Sequence, residues 1–185
     1  METIIKKDQF REMPWKNGLG VTQEIDIFPS HSDFTKGDFH WRVSSAVIKT
    51  ANTFSLFPGY DRLLTIISGD GLKLNQVILA PLEVYAFSGE EKIECTLAGA
   101  PVVDLGIMYK RDLYRCDMQI LTVTQNSKVF FGDGVHYIKS IANEIQINGT
   151  ILSGEEVLKV EGSEIVEIDT AGQSKKLLKI SLYLK

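Results

Sequence analysis

Sliding the chain against itself by 73 positions brings its two halves into ungapped register. Ile78-Leu79 falls on Ile151-Leu152, Glu83-Val84 on Glu156-Val157, Gly89 on Gly162, and Ala98-Gly99 on Ala171-Gly172. Asn75 meets Asn148, Glu91 meets Glu164, Glu94 meets Glu167 and Leu105 meets Leu178. The matches concentrate at turn residues and strand starts, where β-architecture tolerates least change. A duplicated β unit is therefore expected, as two related barrel halves. With 185 residues in all, neither half is long enough to build a large core alone, so the two are expected to pack as one globular unit. The division falls at 1–112 and 113–185.

The local pattern agrees. Helical periodicity is almost absent, and the one short helix expected lies near residues 7–13. Strands are expected at 21–28, 61–67, 72–74, 77–79, 83–87, 93–97 and 102–109. In the second half they are expected at 118–123, 128–131, 137–141, 144–147, 150–152, 157–160, 165–168 and 176–184. Asp70-Gly71 and Asn148-Gly149 are hairpin turns, because both pairs accept positive φ. Residues 30–38 form a polar loop. From Phe39 the chain alternates: Phe39, Trp41 and Val43 face one way and His40, Arg42 and Ser44 the other. Many short, evenly spaced strands indicate an all-β sandwich or barrel rather than a parallel βαβ sheet.

Composition removes several functions. The charge of −4 carries no basic stripe, which argues against a nucleic-acid partner. No apolar run is long enough to span a bilayer as a helix, and the first eight residues lack a secretory h-region. Cys95 and Cys116 have neither metal spacing nor a disulfide framework, as expected of a reduced, cytoplasmic protein. The three histidines, His31, His40 and His136, form no His-x-His pair, and Arg42 stands where a second ligand would be. No bound metal and no cofactor are expected. His40 reads as a satisfied strand histidine.

What remains is a cationic, hydrogen-bonding set in the first half. Pro14-Trp15-Lys16-Asn17-Gly18-Leu19-Gly20 gathers a rigid residue, an aromatic, a cation, an amide and glycines in one short stretch. Lys16, Asn17, Arg42 and Arg62 supply donors; Trp15, Phe54 and Phe57 supply flat apolar walls. Arginine's planar fork matches a carboxylate. Internal pairing of Arg42 or Arg62 with Asp104, Glu24 or Asp61 is the structural alternative. Pro58-Gly59 sets a sharp turn leading into the Arg62 strand. Under the same offset Arg62 falls on Val135 and Asp104 on Leu177, so the second half reads as a scaffold copy without the site.

The stretches PWKNGLGVTQEI (14–25), FHWRVSSA (39–46), FSLFPGYDRLLTIISGDG (54–71) and AFSGEEKIECTLAGAPVVDLGIMY (86–109) resemble the HutD/Ves family. The resemblance implies two tandem cupin-like (jelly-roll) β-barrels of the RmlC type in one all-β chain, with little helix. It also implies a metal-free pocket for a small carboxylate of histidine degradation, such as urocanate or a formyl- or formimino-glutamate, and a regulatory rather than enzymatic role. Carried over by motif, the ligand-binding residues are Trp15, Lys16, Asn17, Gly18, Thr22, Glu24, Arg42, Ser44, Phe57, Pro58, Arg62 and Asp104. No catalytic residue is implied, and a monomer or homodimer is expected. The alternatives are a metal-free isomerase, epimerase or lyase, with His40 or a tyrosine as acid/base, and a structural protein with a vestigial pocket. The chain departs from the family pattern at Leu19, where a third glycine is usual, and at Gly106, where an asparagine is common.

Overall fold

Alternation and turn chemistry give strands almost throughout, as expected of this sequence. The computed structural model describes residues 1–15, 20–141 and 144–185. In chain order the strands begin with β1 (Glu2–Ile5), β2 (Arg11–Pro14), β3 (Gly20–Phe28), β4 (Trp41–Ile48), β5 (Asn52–Thr53) and β6 (Tyr60–Ser68). They continue with β7 (Leu72–Leu74), β8 (Val77–Leu79), β9 (Val84–Ser88), β10 (Glu94–Leu97) and β11 (Val102–Lys110). The remainder are β12 (Tyr114–Val123), β13 (Ser127–Phe131), β14 (Val135–Ser140), β15 (Ile145–Ile147), β16 (Thr150–Leu152), β17 (Val157–Glu161), β18 (Glu164–Asp169) and β19 (Lys175–Leu184). The helix expected near residues 7–13 is instead a 3-10 turn, Lys7–Gln9, followed by β2. β2 pairs with β3, and those ladder hydrogen bonds outweigh the weak local preference for helix.

The chain divides into two compact units, Phe10–Leu113 and Met1–Gln9 with Tyr114–Lys185. The first nine residues thus leave the first unit, where the sequence placed them, because β1 pairs with β17 from Glu2↔Val160 to Ile5↔Val157. Each unit packs two antiparallel sheets. In the first unit these run β2-β3-β4-β11-β6-β9 and β5-β10-β7-β8. In the second they run β1-β17-β14-β19-β12 and β13-β18-β15-β16. The shared plan is a four-strand sheet facing a four-strand sheet. The first unit extends it with the β2-β3 hairpin beside β4; the second extends it with β1 beside β17.

The duplication is visible hydrogen bond by hydrogen bond. Asn75 (φ 54°) and Asn148 (φ 49°) occupy the left-handed region that a tight hairpin turn requires. Asn75 Oδ1 accepts from Glu94 N at 2.9 Å, and Asn148 Oδ1 from Glu167 N at 2.6 Å. Ala80 N donates to Glu83 Oε2 at 3.0 Å, as Ser153 N does to Glu156 Oε2 at 2.9 Å. The offset of 73 does not persist through the earlier strands, however. Met108 lies opposite both Arg42 and Arg62, whereas its counterpart Ser181 lies opposite Asp117 and His136. The structural counterpart of Arg62 is therefore His136, not Val135. Length changes in the connections before β7 and β15 shift the register without disturbing the strands.

The two interiors differ. In the first unit Ile48, Leu64, Ile66, Leu72, Leu74 and Phe87 belong to one buried cluster, packed by Trp15 and Phe54. In the second, His136 and Ser181 are fully buried and bonded to each other (Nδ1 to Oγ, 2.9 Å). The other ring nitrogen meets Gly132 O at 2.8 Å, and the ring packs on Phe131 with centroids 4.8 Å apart. His136 is thus satisfied by Ser181 and Gly132 O, and its ring also meets Tyr183 edge-on with centroids 5.6 Å apart.

Candidate functional site

Strand register assembles the site in the first unit. One row across the sheet reads Ile27, Arg42, Met108, Arg62, Phe87. The next reads Glu24, Ser44, Gly106, Leu64, Tyr85. A third brings Thr22 beside Ala46 and Asp104 beside Ile66. Register shifts occur between Glu24 and Asp26 and between Val103 and Asp104. Such bulges re-aim side chains where a strict pleat would not. From these rows Arg42, Met108 and Arg62, Ser44, Gly106 and Leu64, and Thr22, Ala46 and Asp104 floor a cavity of about 410 Å³. Its walls come from Met13, Trp15, Phe34, Thr35 and the 52–57 segment.

Trp15 forms its wall by packing on Gly20, where a Cβ would stand 2.9 Å from the indole. Its Nε1 donates to Thr22 Oγ1 at 2.8 Å, and its backbone N donates to Gly20 O at 2.9 Å. Phe57 is set by the turn that follows it. Tyr60 N donates to Phe57 O at 3.2 Å, and Gly59 takes φ 85°. Gly89 permits the close approach of this segment, since a Cβ there would lie 2.1 Å from Phe57 O. Arg111 braces the same corner: it pairs with Asp61 at 3.0 Å and with Glu90, and donates to Tyr60 O at 2.6 Å.

The two arginines differ electrostatically. Arg42 is 3% exposed and Glu24 5%. Arg42 Nε donates to Glu24 Oε2 at 2.6 Å, and the guanidinium lies 4.0 Å over the Phe34 ring. Among the described residues its other nitrogens meet Ser44 Oγ and Met13 Sδ, each at 3.3 Å. Arg62 has no carboxylate within 4.0 Å among the described residues. Its guanidinium lies 5.1 Å from the Phe54 ring and 4.9 Å from the Phe87 ring, and touches Ser55 O at 3.4 Å. Burial lowers Arg62 to about 10, with Asp104 opposing and Arg42 reinforcing the shift. Burial likewise pushes Asp104 up to about 7, against the pull of the Ala46 N–H (2.7 Å to Oδ1) and of both arginines.

Of the residues expected at the site, Trp15, Thr22, Arg42, Ser44, Phe57, Arg62 and Asp104 line this cavity. Glu24 does not line it but holds Arg42. Pro58 lies outside the lining and serves the turn. Lys16, Asn17 and Gly18, with Leu19, fall outside the described residues. His40 lies outside the lining as well, its ring edge-on to Phe28 with centroids 5.5 Å apart. Gly106 sits on the floor between Ser44 and Leu64, and a Cβ there would be 3.3 Å from Leu64 Cδ1. Sequence reasoning missed Met13, Met108 and Phe34. Phe34 is carried by the 3-10 turn Phe34–Lys36, capped by Asp33 and closed by Gly37 at φ 65°. The signal was there: an aromatic between a capping aspartate and a glycine, in an otherwise polar loop. Among the described residues no three His, Cys, Asp or Glu side chains cluster as metal ligands. Among the described residues no helix is long and apolar enough to cross a membrane.

Two cupin-like units in tandem, with the cavity in the first, define a bicupin. The HutD family profile matches residues 7–178, and the chain belongs to that family. It is 33% identical to protein Ves of Citrobacter koseri, over 79% of this chain and 78% of that one. It is 29% identical to an uncharacterized 21.2 kDa protein in the hutC 3′ region of Pseudomonas putida, over 92% and 93% of the two chains. The structure of HutD from Pseudomonas fluorescens SBW25 (formate condition) superposes over 100% of both chains, with a TM-score of 0.82 at 27% identity.

Proposed function

We propose that the first unit binds a small carboxylate metabolite and that the protein acts through this binding, in a regulatory capacity, rather than by turnover. The observation that carries this reading is Arg62, a guanidinium on a cavity wall with no carboxylate of its own among the described residues. A half-buried cation with no carboxylate in hydrogen-bond reach is costly, and a ligand carboxylate supplies that contact. The cavity of about 410 Å³ suits a ligand of metabolite size. The apolar faces of Trp15, Phe54 and Phe57 fit a flat or aliphatic ligand body. The candidate ligands implied by the HutD/Ves resemblance are intermediates of histidine degradation: urocanate, or formyl- or formimino-glutamate. The protein is read as cytoplasmic, a monomer or homodimer.

The test is a thermal-shift and calorimetric screen of these compounds against wild type, Arg62→Ala and Arg42→Ala. Binding at 100 times Kd adds about 2.7 kcal/mol of stability to the wild type. The Arg62→Ala variant is expected to fold, by circular dichroism, and to lose that increment. Equal stabilisation of wild type and both variants overturns the assignment. A catalytic reading with His40 as base finds no support in a cavity that His40 does not line.

A further inference from the structure

The charges on the cavity wall do more than attract an anion. Arg42 is neutralised by Glu24. Arg62 has no such partner among the described residues. Asp104 lines the same cavity from β11, is 8% exposed, and has Oδ1 engaged by Ala46 N. Its Oδ2 takes no hydrogen bond among the described residues. The other charged or titratable groups acting on Asp104 are Arg42 from β4, Arg62 from β6 and the buried Cys95 thiol from β10. With Asp104 ionised, the described wall is neutral overall. With Asp104 protonated, it carries one positive charge, which matches one ligand carboxylate.

We propose that the cavity takes up a ligand carboxylate together with one proton, carried by Asp104. This rests on the carboxylate reading above. A ligand carboxylate on Arg62 engages the cation that otherwise favours ionised Asp104 and adds a second negative charge beside it. Both effects favour the neutral acid, whose hydroxyl can donate to the ligand. Asp104 thus links affinity to pH, with binding tightest on the acid side of its midpoint.

The experiment uses the full chain, ¹³C/¹⁵N-labelled, with acetate as probe and chloride at equal ionic strength as control. The Asp104 carboxyl carbon and the Arg62 Nε–H are followed by NMR between about pH 5 and pH 9. The expected result is that acetate moves the Arg62 signal and raises the Asp104 midpoint by about half a unit or more. An Arg62 response with an unmoved Asp104 midpoint overturns the proton linkage and leaves the carboxylate reading standing. No Arg62 response at any pH overturns both. Above the free midpoint, wild-type affinity for acetate falls as pH rises, by about threefold in all for a half-unit shift of the Asp104 midpoint and by more for a larger one. In Asp104→Asn, which keeps an acceptor oxygen for Ala46 N, affinity stays flat.

Discussion

Replacing Glu24 by glutamine leaves the buried Arg42 guanidinium with no carboxylate in hydrogen-bond reach among the described residues. Arg42 and Glu24 are 3% and 5% exposed, so bulk water screens neither. Among the described residues, the partners left to Arg42 are neutral: Ser44 Oγ and Met13 Sδ at 3.3 Å, and the Phe34 ring. Breaking a buried pair from one side costs about 3–5 kcal/mol, because the remaining charge keeps its desolvation cost and loses its counter-ion. The other cation near Glu24, Arg11 at 3.8 Å, is exposed and changes this by less than about 1 kcal/mol. Removing both charges, in Glu24→Gln/Arg42→Met, removes the uncompensated charge as well and restores most of the loss. The assay is urea unfolding followed by tryptophan fluorescence. Both tryptophans, Trp15 and Trp41, lie in the first unit, so the signal reports that unit alone. The expected pattern is a large loss in each single variant and a strongly favourable coupling between them. A Glu24→Gln cost under about 1 kcal/mol, or single costs that simply add in the double variant, refutes the argument.

Three further outcomes follow from the geometry. Asp104 is raised in the folded state from 3.8 to about 7, so the fold binds more protons than the unfolded chain and loses stability as pH rises through that window. Between about pH 4 and pH 8, wild type is expected to lose about 4 kcal/mol relative to Asp104→Asn, and a pH-independent difference in urea midpoints would refute it. Gly20→Ala puts a Cβ 2.9 Å from the Trp15 indole, displaces it from Thr22 and costs about 1–3 kcal/mol, read together with a shift in Trp15 emission. Asn75→Ala and Asn148→Ala each lose a side-chain bond to a backbone N–H and a residue tolerant of positive φ, and are expected to cost a similar amount, about 1–2 kcal/mol each, in thermal unfolding.

Much of this molecule was legible in the sequence because its causes are local. Turn glycines and asparagines set φ by themselves. Leu72–Leu74, Val77–Leu79 and Thr150–Leu152 appear with the bounds that alternation and Asn-Gly punctuation predict. The three-dimensional structure alone assigned β1 and β2, since neither segment has a strand signal apart from the partner that completes its hydrogen bonds: β17 for one, β3 for the other. It also decided the roles of the arginines. Arg42 and Arg62 read alike along the chain, and both were as open to internal pairing as to a ligand. A carboxylate satisfies a guanidinium only within a few ångströms. Which of Glu24, Asp61 and Asp104 reaches which arginine depends on register across separate strands. That register gave Glu24 to Arg42, joined Asp61 to Arg111, and left Arg62 facing the cavity.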